Sequence, residues 1–234
     1  MVAIGAQPIL WHIMNIYAAR GFKDFVLALG YKGDYIKNYF LNYHALNSDF
    51  SVNIATGNVT SGNKSCQRDW DVTLVNTGDK TQTGGRLRRL ADQIRPTGTF
   101  MLTYGDGVTD LDVRELLAFH KKHGKLATVT AVRPTARFGG LDIQSGQVTQ
   151  FKEKAQSDAG WINGGFFVFE PKFFDYLDND QTILEAAPME RLVADNQLMA
   201  YQHDGFWQCM DTLRERQMLE GLWANSAPWK VWND

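Results

Sequence analysis

A chain of 234 residues, 44% hydrophobic and 21% charged, has the length and apolar content for one sizeable buried core. Its 24 basic and 26 acidic residues nearly cancel to a formal charge of -2, and no Lys/Arg run marks a surface for a nucleic-acid polymer, so that class of function is excluded. Two cysteines, Cys66 and Cys209, are too few for a secreted disulfide framework; the opening Met-Val-Ala-Ile-Gly lacks a signal-peptide pattern and every apolar run is too short to span a bilayer, so a cytoplasmic protein without membrane contact is expected.

In chain order, Pro8 fits the first turn of a helix carrying Ile9, Leu10, Ile13, Met14 and Tyr17, where its missing N–H is harmless. Asp24–Leu29 reads as a buried strand closed by Gly30. Tyr35, Ile36, Tyr39, Phe40 and Tyr43 recur at helical spacing and predict an aromatic stripe that belongs to the core. Strands are expected over 51–55 and Asp71–Asn76. Thr83 can cap a helix carrying Leu87, Leu90 and Ile94. An apolar strand over 99–104 ends in Gly105-Asp106-Gly107, and Asp110 can cap the next helix, whose His120 and His123 fall on an exposed side. Ala127–Val132 is strand-like again. This alternation predicts an α/β fold with a Rossmann-like, mostly parallel sheet flanked by helices.

The second half changes character. Strands over 141–144, 148–151 and 161–169 have little helix between them, and Ser145-Gly146 suits a hairpin turn, so a mixed or antiparallel patch is expected on the parallel sheet. Helices are expected over 172–177, 184–195 and 213–224. The chain reads as one domain over 1–212 with a helical extension over 213–234.

Four segments carry candidate chemistry. In Gly105-Asp106-Gly107 a carboxylate stands at the carboxyl end of a strand, where α/β sheets bind ligands and where a hard oxygen donor suits Mg²⁺; a plain Asp-Gly turn reads equally well. Thr83-Gly84-Gly85-Arg86 can present backbone N–H groups to an anion or a base edge, or can be a simple helix entry. Phe151-Lys152-Glu153-Lys154 and Ile162-Asn163-Gly164-Gly165-Phe166 offer a sugar-binding carboxylate, a phosphate-binding lysine and room for a ligand, or else a solvated charge run and a β-bulge. Asp211 can cap the last helix or serve as a second carboxylate beside Asp106. The five histidines show no metal spacing.

In this order, with Arg137-Phe138-Gly139 between the first strand motif and Glu153-Lys154, and Met210-Asp211-Thr212 at the end, the segments resemble the sugar-1-phosphate nucleotidyltransferase family. Within it the glucose-1-phosphate cytidylyltransferases are the most similar in wording, through Pro8-Ile-Leu-Trp-His-Ile-Met, Gly30-Tyr-Lys-Gly, Leu74-Val-Asn-Thr-Gly, Thr103-Tyr-Gly-Asp-Gly, Ile162-Asn-Gly-Gly-Phe-Phe and Gly205-Phe-Trp-Gln. The resemblance implies a fold of the nucleotide-diphospho-sugar transferase type and a transfer of CMP from CTP to glucose 1-phosphate, giving CDP-glucose and pyrophosphate. It implies that Asp106 and Asp211 hold Mg²⁺ and that Lys154 joins them in catalysis. Thr83, Gly84, Gly85 and Arg86 would lie along the cytosine, with Gly105 nearby, and Gly139, Glu153, Lys154, Asn163 and Gly164 would hold the glucosyl phosphate. A homo-oligomer, and a product that feeds CDP-deoxysugar synthesis for lipopolysaccharide O-antigen and related surface polysaccharide, follow by the same analogy.

Two departures accompany the resemblance. The family's first strand and Gly-rich loop, which lead through Lys-Pro to the Met resembling Met1, have no counterpart in these residues, so weak CTP binding is expected of them alone. Ala155 stands where the family commonly has Pro. The alternatives are a uridylyl- or thymidylyltransferase, and an inactive homologue that binds sugar phosphate; retention of both metal carboxylates argues against the last.

Overall fold

The computed structural model describes residues 2–61, 68–134, 140–144, 147–152 and 160–233. β1 (Ala3–Ile4) and β2 (Gln7–Pro8) form a tight hairpin leading into α1 (Ile9–Ala18). β3 (Asp24–Leu29), α2 (Gly33–Leu41) and α3 (Tyr43–Leu46) come next, then a hairpin of β4 (Phe50–Val52) and β5 (Val59–Ser61). β6 (Asp71–Asn76) leads to α4 (Thr83–Arg89) and α5 (Ala91–Ile94), followed by β7 (Phe100–Thr103), β8 (Gly107–Thr109), α6 (Val113–His123) and β9 (Ala127–Val132). β10 (Gly140–Gln144) and β11 (Gln147–Lys152) pair antiparallel ahead of β12 (Ile162–Phe169). A 3-10 segment (Pro171–Tyr176), α7 (Ala187–Ala194), β13 (Leu198–His203), β14 (Trp207–Cys209) and α8 (Leu213–Asn225) complete the order.

The period-2 alternation of β12 divides the core in two. Phe166 and Val168 face a cluster with Ile13, Val108, Leu116 and Leu219, while Phe167 and Phe169 face Leu87, Phe173, Leu184 and Leu192. Both faces of its Phe166–Phe169 half are covered, so that half reads as an unbroken apolar run. The sheet order is β13-β9-β12-β7: β9 and β13 run parallel, and β12 is antiparallel to both neighbours. β3 and β6 form a separate parallel pair, with Leu29 opposite Asn76. The 213–233 segment packs into the first cluster, where Leu219 and Trp229 are fully buried with Ile4 and Ile13.

Several local expectations change in the folded chain. The aromatic stripe runs over α2 and α3 and is only partly core: Tyr39 and Tyr43 pack on the cluster, Tyr39 donating to Gln7 Oε1 and Tyr43 accepting from Trp11 Nε1, but Tyr35 is 63% exposed. Thr83 does not cap α4; Gln82 holds the cap position, and the Thr83 hydroxyl bonds elsewhere. Asp112 rather than Asp110 caps α6, accepting from Arg114 N at 2.9 Å, while Asp110 meets His203 Nε2 at 2.9 Å. His120 is buried, with Nδ1 2.8 Å from Thr128 Oγ1 and Nε2 3.2 Å from Glu170 Oε1. Thr212 caps α8 in a reciprocal box with Glu215, which leaves the Asp211 side chain without a capping role. The Ser145-Gly146 turn lies outside the described residues.

Candidate active site

Asp106 and Asp211 stand far apart in the chain and meet through one short ladder. β8 and β14 pair antiparallel with Gly107 opposite Cys209, and Met210 N donates to Asp106 O at 2.8 Å. Both carboxylates line a cavity of about 310 Å³ together with Tyr104, Asn163, Gly164, Trp207 and Cys209. Partial desolvation, and then the Asp211 carboxylate, raise the Asp106 pKa above the usual carboxylate range. Among the described residues no Lys or Arg lines the cavity to relieve this repulsion. Two converging oxygen donors of like charge are a fitting set for a hard divalent cation.

Cys209 and Glu215 lie beside Asp211, and ligand atoms of the three come within 4.8 Å of one another. Neither adds a clear donor. Burial, followed by Asp211 and Glu215, pushes the Cys209 thiol up to about 11, so it stays protonated near neutrality. Glu215 Oε2 accepts from Asp211 N at 2.8 Å and Thr212 N at 2.9 Å, so that oxygen is committed to the helix start.

The wall across from the carboxylates is a β-bulge. The β12–β9 register shifts between Asn163 and Phe167, and Gly165 takes a φ of +77° that favours glycine. A Cβ on Gly164 would come within 2.7 Å of Val132 Cγ1, and one on Gly165 within 2.6 Å of the Tyr104 ring. Asn163 Oδ1 accepts from Gly165 N at 2.8 Å, and Trp207 Nε1 donates to Gly164 O at 2.8 Å, tying β14 to the bulge. The bulge and the pocket wall are thus the same feature. Gly139, Glu153 and Lys154 lie outside the described residues.

The 83–86 segment sits beside this cavity rather than in its lining. Gly84 and Gly85 are buried against the 180–184 backbone: Gly85 N donates to Thr182 O at 3.1 Å, and a Cβ on Gly85 would lie 2.4 Å from Asp180 O. Arg86 Nη1 donates to Leu29 O, Thr77 Oγ1 and Gly78 O at 2.9–3.1 Å, clasping the end of β3 to the loop after β6. Gly105 is exposed, with open space where a side chain would be. A larger hollow of about 540 Å³ is lined by Gly78, Asp79, Lys80, Thr81, Arg89 and Asp180, but Arg89 and Asp180 neutralise each other at 2.6 Å and Lys80 shares the lining with Asp79, so its acids are not left facing one another without a cation. The smaller cavity, which both Asp106 and Asp211 line, is therefore the candidate site. Sequence reasoning missed Tyr104, Trp207 and Glu185. Tyr104 adjoins the Gly-Asp-Gly motif and Trp207 lies in Gly-Phe-Trp-Gln, whereas no local pattern marks Glu185.

The acidic groups stand at the carboxyl end of a strand, where α/β sheets bind ligands, and the chain belongs to the nucleotidyl transferase family, whose model matches residues 1–234. Its fold is that of the nucleotide-diphospho-sugar transferases. It is similar to the glucose-1-phosphate cytidylyltransferase of Salmonella typhi, 51% identical over 233 residues that make up 99% of this chain and 90% of that protein. The probable glucose-1-phosphate cytidylyltransferase of Bacillus subtilis (strain 168) is 41% identical over 234 residues, 99% of this chain and 91% of that one. Among solved structures, HddC from Yersinia pseudotuberculosis superposes with a TM-score of 0.67 at 18% identity, covering 95% of this chain and 88% of that one, a likeness of fold.

Proposed function

We propose that this enzyme is a glucose-1-phosphate cytidylyltransferase, which transfers CMP from CTP to glucose 1-phosphate. The observation that carries this reading is 51% identity with such an enzyme along 99% of the chain. The site chemistry supports it. A phosphate oxygen of glucose 1-phosphate attacks the α-phosphorus of CTP, the bond from that phosphorus to the bridging oxygen breaks, and pyrophosphate leaves. No protein nucleophile is needed, only alignment and compensation of charge. Asp106 and Asp211 are the residues that would hold Mg²⁺, which supplies electrostatic stabilisation of the phosphate oxygens when bound. Asn163 and the Gly164 backbone orient the glucosyl phosphate, and Glu153, Lys154 and Gly139 act with them. Thr83, Gly84 and Gly85 form the nucleotide side, and Arg86 maintains its shape through the 77–79 loop.

No helix among the described residues is long and apolar enough to cross a membrane. The reading includes a cytoplasmic homo-oligomer whose product enters the synthesis of CDP-deoxysugars for surface polysaccharide. Initial rates of pyrophosphate release with glucose 1-phosphate and each of CTP, UTP, dTTP, ATP and GTP test the substrate. CTP is expected to lead, well ahead of the purines, because a slot shaped to one ring is too small for two. Faster turnover with dTTP than with CTP would move the enzyme to a sister activity.

A further inference from the structure

The start of α4 and the cavity wall are separate elements, yet a line of side chains joins them. Glu185 stands at its centre. Its Oε2 accepts from Thr83 Oγ1 at 2.9 Å, and its Oε1 accepts a short hydrogen bond from the Tyr104 hydroxyl. Tyr104 in turn accepts from Asn163 Nδ2 at 3.2 Å. The ends are held by backbone: Leu184 N donates to Thr83 Oγ1 at 2.9 Å, and Gly165 N to Asn163 Oδ1 at 2.8 Å. Leu184 is itself buried in the second core cluster, which fixes the segment bearing Glu185.

Each hydroxyl already accepts a hydrogen from another group, so both hydroxyl hydrogens are free to point at Glu185. A carboxylate accepts at both oxygens and so takes both hydroxyl hydrogens; a glutamine has a single acceptor oxygen, and at the other arm its amide N–H must donate instead, which forces that hydroxyl hydrogen to turn away.

We propose that Glu185 is a positioning residue that couples the two substrate subsites, setting Thr83 on the nucleotide side and, through Tyr104, Asn163 on the sugar side. This rests on the cytidylyltransferase reading given above. Neither end acts alone: displacing Thr83 frees Glu185 to move and loosens Tyr104 and Asn163, and displacement of Asn163 is transmitted in reverse.

The test is a double-mutant cycle in the full-length enzyme, read as kcat/KM for pyrophosphate release from CTP and glucose 1-phosphate. Thr83→Val and Asn163→Ala are made singly and together, in the wild-type background and in Glu185→Gln. In the wild-type background the combined loss is expected to fall short of the product of the single losses by about threefold or more. In Glu185→Gln the two losses are expected to multiply, and the KM values for both substrates to rise together while the melting temperature is unchanged. Tyr104→Phe, which keeps the ring but removes the link, gives the same result and serves if Glu185→Gln folds poorly. Independent losses in the wild-type background, or coupling that persists in both Glu185→Gln and Tyr104→Phe, overturn the proposal while leaving the cytidylyltransferase reading standing. An enzyme that does not turn over CTP overturns that reading instead, and the cycle is then scored with the nucleotide it does use.

Discussion

Asp106 is held in an unfavourable arrangement for a folded chain on its own: partly desolvated, with a second carboxylate beside it. Groups at functional sites are often left in such arrangements because the missing charge arrives with the substrate or ion. Asp106→Asn removes the charge at nearly constant volume. Turnover is expected to fall by at least about a hundredfold, the scale of losing one charge-stabilising contact in the transition state. The melting temperature should stay the same or rise, since the repulsion with Asp211 is relieved. Pyrophosphate release and a thermal melt on the same preparation check both halves; a destabilised variant would mean that Asp106 serves the fold. Asn163 illustrates a related point, because its side chain stabilises the bulge through Gly165 N and also faces the cavity.

Element packing explains the glycines before α4. The helix start meets the 180–184 segment at backbone distance, and Gln82 N donates to Asp180 O at 2.9 Å while Gly85 N donates to Thr182 O. A methyl group at residue 85 would push into the Asp180 backbone, which cannot swing away as a flexible side chain can. Gly85→Ala is therefore expected to destabilise by about 1–3 kcal/mol, as overpacking does. Gly221 is the contrast: it lies within α8, is exposed, and a Cβ there meets nothing within 4 Å. Gly221→Ala should stabilise by roughly 0.5–1 kcal/mol through the lower conformational entropy of the unfolded chain. Denaturant melts of the two variants should move in opposite directions. The Gly-Gly pair is easily seen in the sequence, but the element that presses on it lies about a hundred residues downstream, and no spacing rule points there.

Across the whole molecule, stability should depend on keeping histidines neutral. His12 is fully buried among Trp11, Trp223 and Trp229, with Nε2 3.0 Å from Ile4 O and Nδ1 accepting from Trp229 Nε1 at 3.4 Å. Burial lowers its pKa from 6.5, and it likewise lowers those of His120 and His123. The unfolded chain then takes up protons that the folded one refuses. The contribution of these groups is complete above pH 6.5 and is lost as the pH falls below that value toward the depressed folded pKa values. Each neutral buried histidine contributes a slope of up to about 1.4 kcal/mol per pH unit in that window. Urea midpoints at a series of pH values from neutral to mildly acid should fall accordingly, and His12→Gln should flatten the decline; a midpoint constant across that window would count against this assignment.

Local chemistry was enough to determine the strands Asp24–Leu29, Asp71–Asn76 and Ala127–Val132, whose bounds in the structure match the apolar runs. It also determined the helical pattern of α1 and α8 and the order of motifs that places the chain among the nucleotidyl transferases. These features depend on neighbours a few residues apart, where side-chain period and turn chemistry operate. The motif order already implied that Asp106 and Asp211 come together, but no residue spacing does so. The tertiary structure supplied the means, the β8–β14 ladder that joins residues about a hundred positions apart. It decided which acid caps α6, turned His120 inward, placed 83–86 beside the cavity rather than in its wall, and brought Glu185 between Thr83 and Tyr104. Each of these depends on a contact between distant segments, and a side chain with several available partners takes the one that packing brings within hydrogen-bond reach.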